Sequence, residues 1–400
     1  MAAPVFDMFA PEMCVDPYPH YAAIRRSDPI HESALGYFML FRYADVARFF
    51  TDKSLEHQYA MTQQMRGGPG VVEQPYYEVF RRMVFVLDNP DHRRVRLLFA
   101  KSFTPAQIRQ LHGRVVAIAD GLLDAVIDDG GMDFVADFAV PLPIRVVGAL
   151  LGVPRQDQDR IGRISHLLNP VLQFLPMDDA TMNDANAAVI ELTGYFRDLA
   201  DHKRRNPADD LLTQMVAAVD ENEMLDDDEL VANAILLYLA GHETSAGAGG
   251  LALLALHRHP DQLAILAQDR SLIPNAVTEL FRYDASGQAT ARVTTTPVTF
   301  GENEIPAGRG IVAWIGAANR DPDKYPEPDV LDVRRQIDHI VTFGGGAHYC
   351  LGQALARQEL AVTLEVLFDR LPDLRLTDMD PPHRETSLMR GLTALPVAWS

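Results

Sequence analysis

Between Leu225 and Pro260 the chain reads LDDDELVANAILLYLAGHETSAGAGGLALLALHRHP. Asp226, Asp227, Asp228 and Glu229 stand where a helix dipole is positive, and Pro260 ends the pattern. The segment predicts one helix of about 34 residues, about 50 Å long, enough to cross a whole domain. Its middle is apolar on every side, so it must be buried, and the rest of the fold has to be assembled round it. Gly241, His242, Glu243, Thr244 and Ser245 nevertheless interrupt that middle with small and polar groups. Either His242 and Glu243 find core partners while Thr244 bonds the carbonyl four residues back, or the helix carries a functional kink.

Helical periodicity continues on both sides of this segment, as in IRQLHGRVVAIADGLLDAVIDD and DANAAVIELTGYFRDLADHKRR. The pattern predicts a single domain over residues 1–400, mainly α, with a helical core at about 90–285 and 350–370 and a minor β-rich region at about 30–41 and 292–314. Turn signals at Gly301 to Asn303 and Pro306 to Gly308 punctuate the second strand group. No repeat or Gly/Ser linker divides the chain. With 36 basic and 55 acidic side chains the net charge is −19, which argues against nucleic acid or an anionic membrane as partner. The N-terminal residues lack a basic start followed by an apolar core, and the longest apolar runs, such as Ile235 to Ala240, are too short to span a membrane. A cytoplasmic protein is expected, consistent with only two cysteines, Cys14 and Cys350.

Cys350 stands in Phe343-Gly344-Gly345-Gly346-Ala347-His348-Tyr349-Cys350-Leu351-Gly352, ahead of QALARQELAVTLEVLFDRL, which reads as a helix starting at or just after the cysteine. Glycines let backbone amides converge, and a helix N-terminus stabilises negative charge, so this position favours a thiolate. Such a sulfur is a nucleophile or a metal ligand; inert packing leaves the glycines unexplained. The loop fits Phe-Gly-x-Gly-x-His-x-Cys-x-Gly at every defined position and resembles the haem-thiolate loop of the cytochrome P-450 superfamily, in its soluble bacterial form. Three further signatures of that family follow in its order: Asp91-His92-Arg93-Arg94-Val95-Arg96, Ala240-Gly241-His242-Glu243-Thr244, and Glu279-Leu280-Phe281-Arg282. The resemblance covers essentially the whole chain.

It implies a helical triangular prism enclosing haem b, iron protoporphyrin IX, with Cys350 as the metal ligand whose thiolate pushes electron density onto iron, an effect described for this family. The resemblance assigns Gly344, Gly346 and Gly352 to close approach of the loop, Phe343 to shielding the sulfur, and His92, Arg96, Arg292 and His348 to the haem propionates. Ala240 and Gly241 would leave room beside the iron, and Glu243 and Thr244 would be the catalytic acid and alcohol that deliver protons during dioxygen activation. Glu279, Arg282 and an arginine from LDVRRQIDH form a structural triad in the family; Arg335 fits the spacing better than Arg334. His339, four residues before Phe343, is a further propionate candidate. An acid–alcohol pair implies monooxygenation of a small apolar substrate, in the style of secondary-metabolite tailoring enzymes.

No flavin- or iron–sulfur-binding stretch is present, so a ferredoxin and a ferredoxin reductase are expected as electron donors to a monomer, guided by Arg93, Arg94, Lys101, Arg109, Arg114 and Arg357. The substrate pocket would draw on Tyr59 to Leu87, Leu167 to Met177, Leu236 to Thr244, Gly287 to Thr290, Leu388 and Met389. Relatives often carry prolines after the Glu-x-x-Arg helix, whereas here Ala285-Ser286-Gly287-Gln288 predicts a less rigid or differently shaped wall. Two competing readings are a non-catalytic haem sensor or carrier, which has no use for Glu243 and Thr244, and a cysteine hydrolase, for which His348 is a poor partner.

Overall fold

A computed structural model describes residues 6–220 and 225–400, with the side chains of residues 101, 102 and 105 outside the described set. By its internal contacts the chain forms two compact units. The first comprises Met1–Leu55, Leu111–Leu142 and Thr244–Ser400, the second Glu56–Gln110 and Pro143–Glu243.

The first unit carries the sheets. Its strands are β1 (Ile30–Glu32), β2 (Phe38–Leu40), β3 (Leu55–Glu56), β4 (Gly131–Asp133), β5 (Ala289–Thr294), β6 (Val298–Phe300), β7 (Asn303–Ile305), β8 (Gly310–Trp314), β9 (Arg375–Leu376) and β10 (Pro396–Ala398). The main sheet has the order β1-β2-β8-β5-β3. β8 lies parallel to β2, with Phe38 opposite Ile311, and antiparallel to β5, with Arg292 opposite Ile311. All five residues of β8 are buried, as the unbroken apolar run of a central strand requires. Behind it Trp314 stacks on Phe41, ring centroids 6.0 Å apart, and meets Tyr21 at 5.4 Å. A second sheet, β4-β10-β9, lies outside both expected strand regions, because strands of two or three residues show no alternation to read. Helices also precede residue 90, among them Tyr18–Ser27 and Tyr43–Thr51.

The central helix runs unbroken over Asp227–Arg258, 32 residues, through Gly241 to Ser245. Between Leu230 and Leu256 two of its residues are exposed, Ala240 and Thr244. They stand four apart and so share one face of the helix. In the first unit its C-terminal half joins the helices Ile273–Tyr283 and Gln353–Arg370 in one apolar core containing Leu256, Leu280, Phe281, Phe343, Leu360 and Leu364. Each such side chain fully buried contributes about 1.5–3 kcal/mol. In the second unit its N-terminal half is anchored by polar groups. The Asn233 amide oxygen accepts from Val84 N at 2.8 Å, Glu229 takes the Arg94 guanidinium at 2.6 Å, and Tyr238 donates to the Gln158 carbonyl at 2.8 Å.

Candidate functional site

Backbone geometry builds the cysteine loop. Gly346 has φ +61°, and a Cβ there would lie 2.4 Å from the Phe50 carbonyl oxygen. Gly344 has φ +71°, with Phe50 ring atoms 3.3 Å from where its Cβ would be. Only glycine lets this loop fold flat against the helix Tyr43–Thr51. The loop closes where Cys350 N donates to the Phe343 carbonyl at 2.9 Å. The C-terminal helix begins at Gln353, three residues past the cysteine, with Gly352 as its cap at an ordinary φ of −82° and open space where a Cβ would be. The Cys350 side chain is half-buried against the apolar core. Phe343 beside it packs edge-on against Phe281 at 5.0 Å and lies under the Arg357 guanidinium at 4.9 Å.

In the same unit Arg292 projects from β5, is 6 % exposed, donates to the Phe49 carbonyl at 3.2 Å and lies over the Phe49 ring. His348 ends a short turn two residues before the cysteine, and His339 is exposed. In the second unit His92 and Arg96 stand four apart on the helix Asp91–Ser102, His92 buried and Arg96 half-buried.

Glu279 and Arg282 are both fully buried. Arg282 Nε and Nη2 donate to the two carboxylate oxygens at 2.6 and 2.8 Å, and its Nη1 to the carbonyls of Asn319 and Pro328. Arg335 Nε reaches the same carboxylate at 3.2 Å and fastens the carbonyls of Pro326, Glu327 and Val330, while Arg334 is exposed. Arg335 is therefore the second arginine on Glu279.

Side chains from distant segments build the acid position on the central helix. Glu243 Oε1 lies 2.5 Å from His166 Nδ1 and 3.2 Å from His242 Nε2, and His242 Nδ1 donates to the Tyr238 carbonyl at 2.7 Å. Burial disfavours the charge on Glu243, but the two histidines outweigh it and hold the carboxyl well below the usual carboxylate range. Both polar groups thus have partners within the continuous helix. At Gly241 a Cβ would stand 3.1 Å from Val147 Cγ2. Sequence reasoning missed His166. It also missed Glu359, buried on the C-terminal helix with neither carboxyl oxygen in a hydrogen bond of good geometry and pushed up to about 8 by burial.

Hydrogen bonds replace the prolines missing after the Glu-x-x-Arg helix. Gln288, fully buried, donates to the Ala285 carbonyl and accepts from Tyr21 Oη, while Ser286 Oγ donates to the Arg390 carbonyl. These bonds belong to the segment expected to be less rigid or differently shaped. In the second unit Arg66 donates to the carbonyls of Pro170, Val171 and Leu175, tying the helix Tyr59–Gly67 to the next expected pocket stretch. Of the basic residues expected to meet an electron donor, Arg93, Arg109 and Arg114 are exposed and the Lys101 side chain lies outside the described residues. Arg94 is committed to Glu229 and Asp91, and Arg357 to Thr278 and Gln353.

No group of three or more His, Cys, Asp or Glu among the described residues could chelate a bare ion. A half-buried thiol in an apolar setting, offered by a loop that glycine keeps thin, suits a metal that brings its other ligands with it, as a metal macrocycle does. The residues therefore fit haem.

A profile of the cytochrome P450 family matches residues 166–393. The chain is 40% identical to the vitamin D(3) 25-hydroxylase of Pseudonocardia autotrophica over 98% of its own length and 96% of that protein's. It is 35% identical to the nocardicin C N-oxygenase of Nocardia uniformis subsp. tsuyamanensis, with 98% of each covered. Among solved structures, the myxobacterial cytochrome P450 CYP267B1 in complex with myristic acid matches at a TM-score of 0.91 and 32% identity, with 98% of each chain covered.

Proposed function

The chain belongs to the cytochrome P450 family and is a haem monooxygenase, and on that premise we propose that it hydroxylates or epoxidises an apolar small molecule in the tailoring of a secondary metabolite. The observation that carries the reading is Cys350, a single half-buried thiol on a loop whose glycines are dictated by contact with Phe50. Electrons would come from a ferredoxin and its reductase, with Arg93, Arg109 and Arg114 as exposed cations for an acidic partner. No single helix among the described residues is long and apolar enough to cross a membrane, and a cytoplasmic monomer is part of the proposal.

Haem, when bound, supplies the iron at which dioxygen is activated. Cys350 would hold it through sulfur, and Phe343, packed on Phe281, would keep water from that sulfur. Arg292, His348, His92 and Arg96 are the proposed partners of the propionates, for which guanidinium and imidazole are suited donors. Glu243 and Thr244 would move protons: the carboxyl holds one at Oε1 and the Thr244 hydroxyl passes one on. The Glu279–Arg282–Arg335 triad would keep its unit rigid and take no part in chemistry.

Cys350→Ala is expected to lose the strongly red-shifted Soret band of the reduced, carbon-monoxide-bound protein, and Cys14→Ser to keep it. Retention of an unaltered band in Cys350→Ala would overturn the ligand assignment. Vitamin D3 and myristic acid, named for relatives, are the first probes for a substrate-induced spin shift. With any probe that is turned over, Thr244→Ala should still bind it and consume reductant, yet yield less oxygenated product and more hydrogen peroxide, while Thr244→Ser keeps much of the coupling. Equal coupling in Thr244→Ala and wild type would leave the hydroxyl without a proton-transfer role.

A further inference from the structure

His166 is the one exposed member of the group round Glu243: its side chain is 60% exposed, against 5% for Glu243 and 2% for His242. The proton inventory of this group follows from elementary donor rules. A carbonyl oxygen only accepts, so the Tyr238 carbonyl fixes a proton on His242 Nδ1. In neutral His242 the other nitrogen, Nε2, would then present a lone pair to a carboxylate oxygen 3.2 Å away, which is repulsive. That contact therefore contains a further proton, held by His242 Nε2 or by Glu243 Oε1. The contact between His166 Nδ1 and Oε1, at 2.5 Å, needs one as well. If Oε1 gives its proton to one ring, the other ring must donate to it.

We propose that His166 is the proton entry to Glu243: the ring, 60% exposed, takes a proton from water at Nε2 while its Nδ1 gives one to Oε1, so that the transfer itself carries charge inward without moving the ring. The balance is simple. One proton leaves water and forms an Nε2–H bond, the Nδ1–H bond breaks, and an Oε1–H bond forms on Glu243. The ring is left neutral with its proton on Nε2, and it regains its starting tautomer by losing that proton to water and turning its Nδ1 edge outward to take another, as a side chain 60% exposed can do. His242, whose Nδ1 is tied to the helix backbone, cannot turn over in this way, so it serves as the fixed partner that keeps Oε1 aimed. Among the described residues, His166 from the helix Arg155–His166 and His242 from its own helix face Glu243, and the Asn169 amide lies 3.1 Å from the same His166 Nδ1. His166 is thus a positioning and relay residue that acts through Glu243. The inference rests on the reading of Glu243 as the proton source.

Histidine ring resonances of the reduced, carbon-monoxide-bound holoenzyme test it without turnover. Glu243→Gln removes the charge beside His166, and the ring's titration midpoint should fall by about one unit or more. A second measurement follows dioxygen uptake against pH, driven by NADPH through a surrogate ferredoxin and its reductase. In wild type, uptake should drop roughly tenfold per pH unit above the His166 midpoint. His166→Gln, which can hold a hydrogen bond but cannot relay a proton, should be slow throughout and lack the inflection. A midpoint unmoved in Glu243→Gln, or an inflection that survives in His166→Gln, overturns the relay. If Glu243→Gln itself shows the wild-type uptake profile, the reading of Glu243 as proton source falls. If it is impaired while His166→Gln matches wild type, only the entry through His166 falls.

Discussion

Glu243 and Glu359 are equally buried, each 4% exposed, and each stands on a helix of its own unit. Their chemistry is opposite. Glu243 sits between two imidazoles that hold it ionised far below the usual range, whereas Glu359 meets no cation among the described residues and is pushed up to about 8 by burial, so that it is largely protonated at neutral pH. Burial sets the size of the electrostatic cost for both, and the partners decide its sign. A carboxyl that must release protons repeatedly needs the first arrangement, because its charged form has to be tolerated. A carboxyl in the second arrangement resists ionisation and acts as a neutral polar group until the solution is alkaline.

A third carboxyl takes the comparison to its extreme. Glu279 has two arginines on it and the Asp332 amide as well, at 3.0 Å, and is not exposed at all. Glu279→Ala would leave Arg282, equally buried, with no counter-charge, at a cost of about 3–5 kcal/mol. Little soluble holoprotein is expected, measured as haem content and thermal midpoint, while Arg334→Ala, at an exposed neighbour, should match wild type in both. A stable Glu279→Ala protein would show that carbonyl contacts alone satisfy Arg282, and that partners matter less than burial.

Legibility in the sequence follows the same division. The cysteine loop could be read because its determinants lie within ten consecutive residues and act through backbone conformation, which glycine spells out locally. The Glu279–Arg282 pair could be read for the same reason, being one helical turn. His166 could not: it lies 77 residues before Glu243, and nothing in RQDQDRIGRISH distinguishes it from a solvated residue at a helix end. Glu359 was equally hidden, since a glutamate in LARQELAVTLEVL looks like the polar face of an amphipathic helix until neighbours from other segments bury it. Helices before residue 90 and the β4-β10-β9 sheet escaped because short elements carry too few residues for a period.

Glu359→Gln should change how stability depends on pH. The usual carboxyl value is 4.5 and the folded value about 8, so between these the folded protein binds the proton more tightly than the unfolded chain. Stability from this site is thus fully present below about pH 4.5 and lost as pH rises through 8, by on the order of a few kcal/mol. The amide cannot ionise, and the thermal midpoint of the variant should fall less steeply than that of wild type from pH 5 to 8. Parallel curves would mean that Glu359 is ionised in the native state after all, and the contrast with Glu243 would vanish.

The smallest effect belongs to Ser245, whose hydroxyl on the central helix eases the burial of Glu359 only weakly, without a hydrogen bond of good geometry to it. Hydrogen bonding to the ionised form lowers an acid's pKa, so Ser245→Ala should raise that of Glu359 still further. The sign then determines where to look. At pH 6 both proteins hold Glu359 protonated, and they should differ little beyond the loss of one hydroxyl. Above pH 8 the ionised carboxylate is eased by Ser245 in wild type and by nothing in the variant, so the stability of Ser245→Ala should keep falling where wild type levels off. The gap should stay below about 1 kcal/mol, the scale of a well-formed single hydrogen bond. Because Ser245→Ala also alters packing, the measurement that counts is a double-mutant cycle with Glu359→Gln at pH 6 and pH 9. If the hydroxyl acts on the carboxylate, the coupling appears at pH 9 and shrinks at pH 6. A coupling that is the same at both values would assign Ser245 to packing and leave burial alone to account for the state of Glu359.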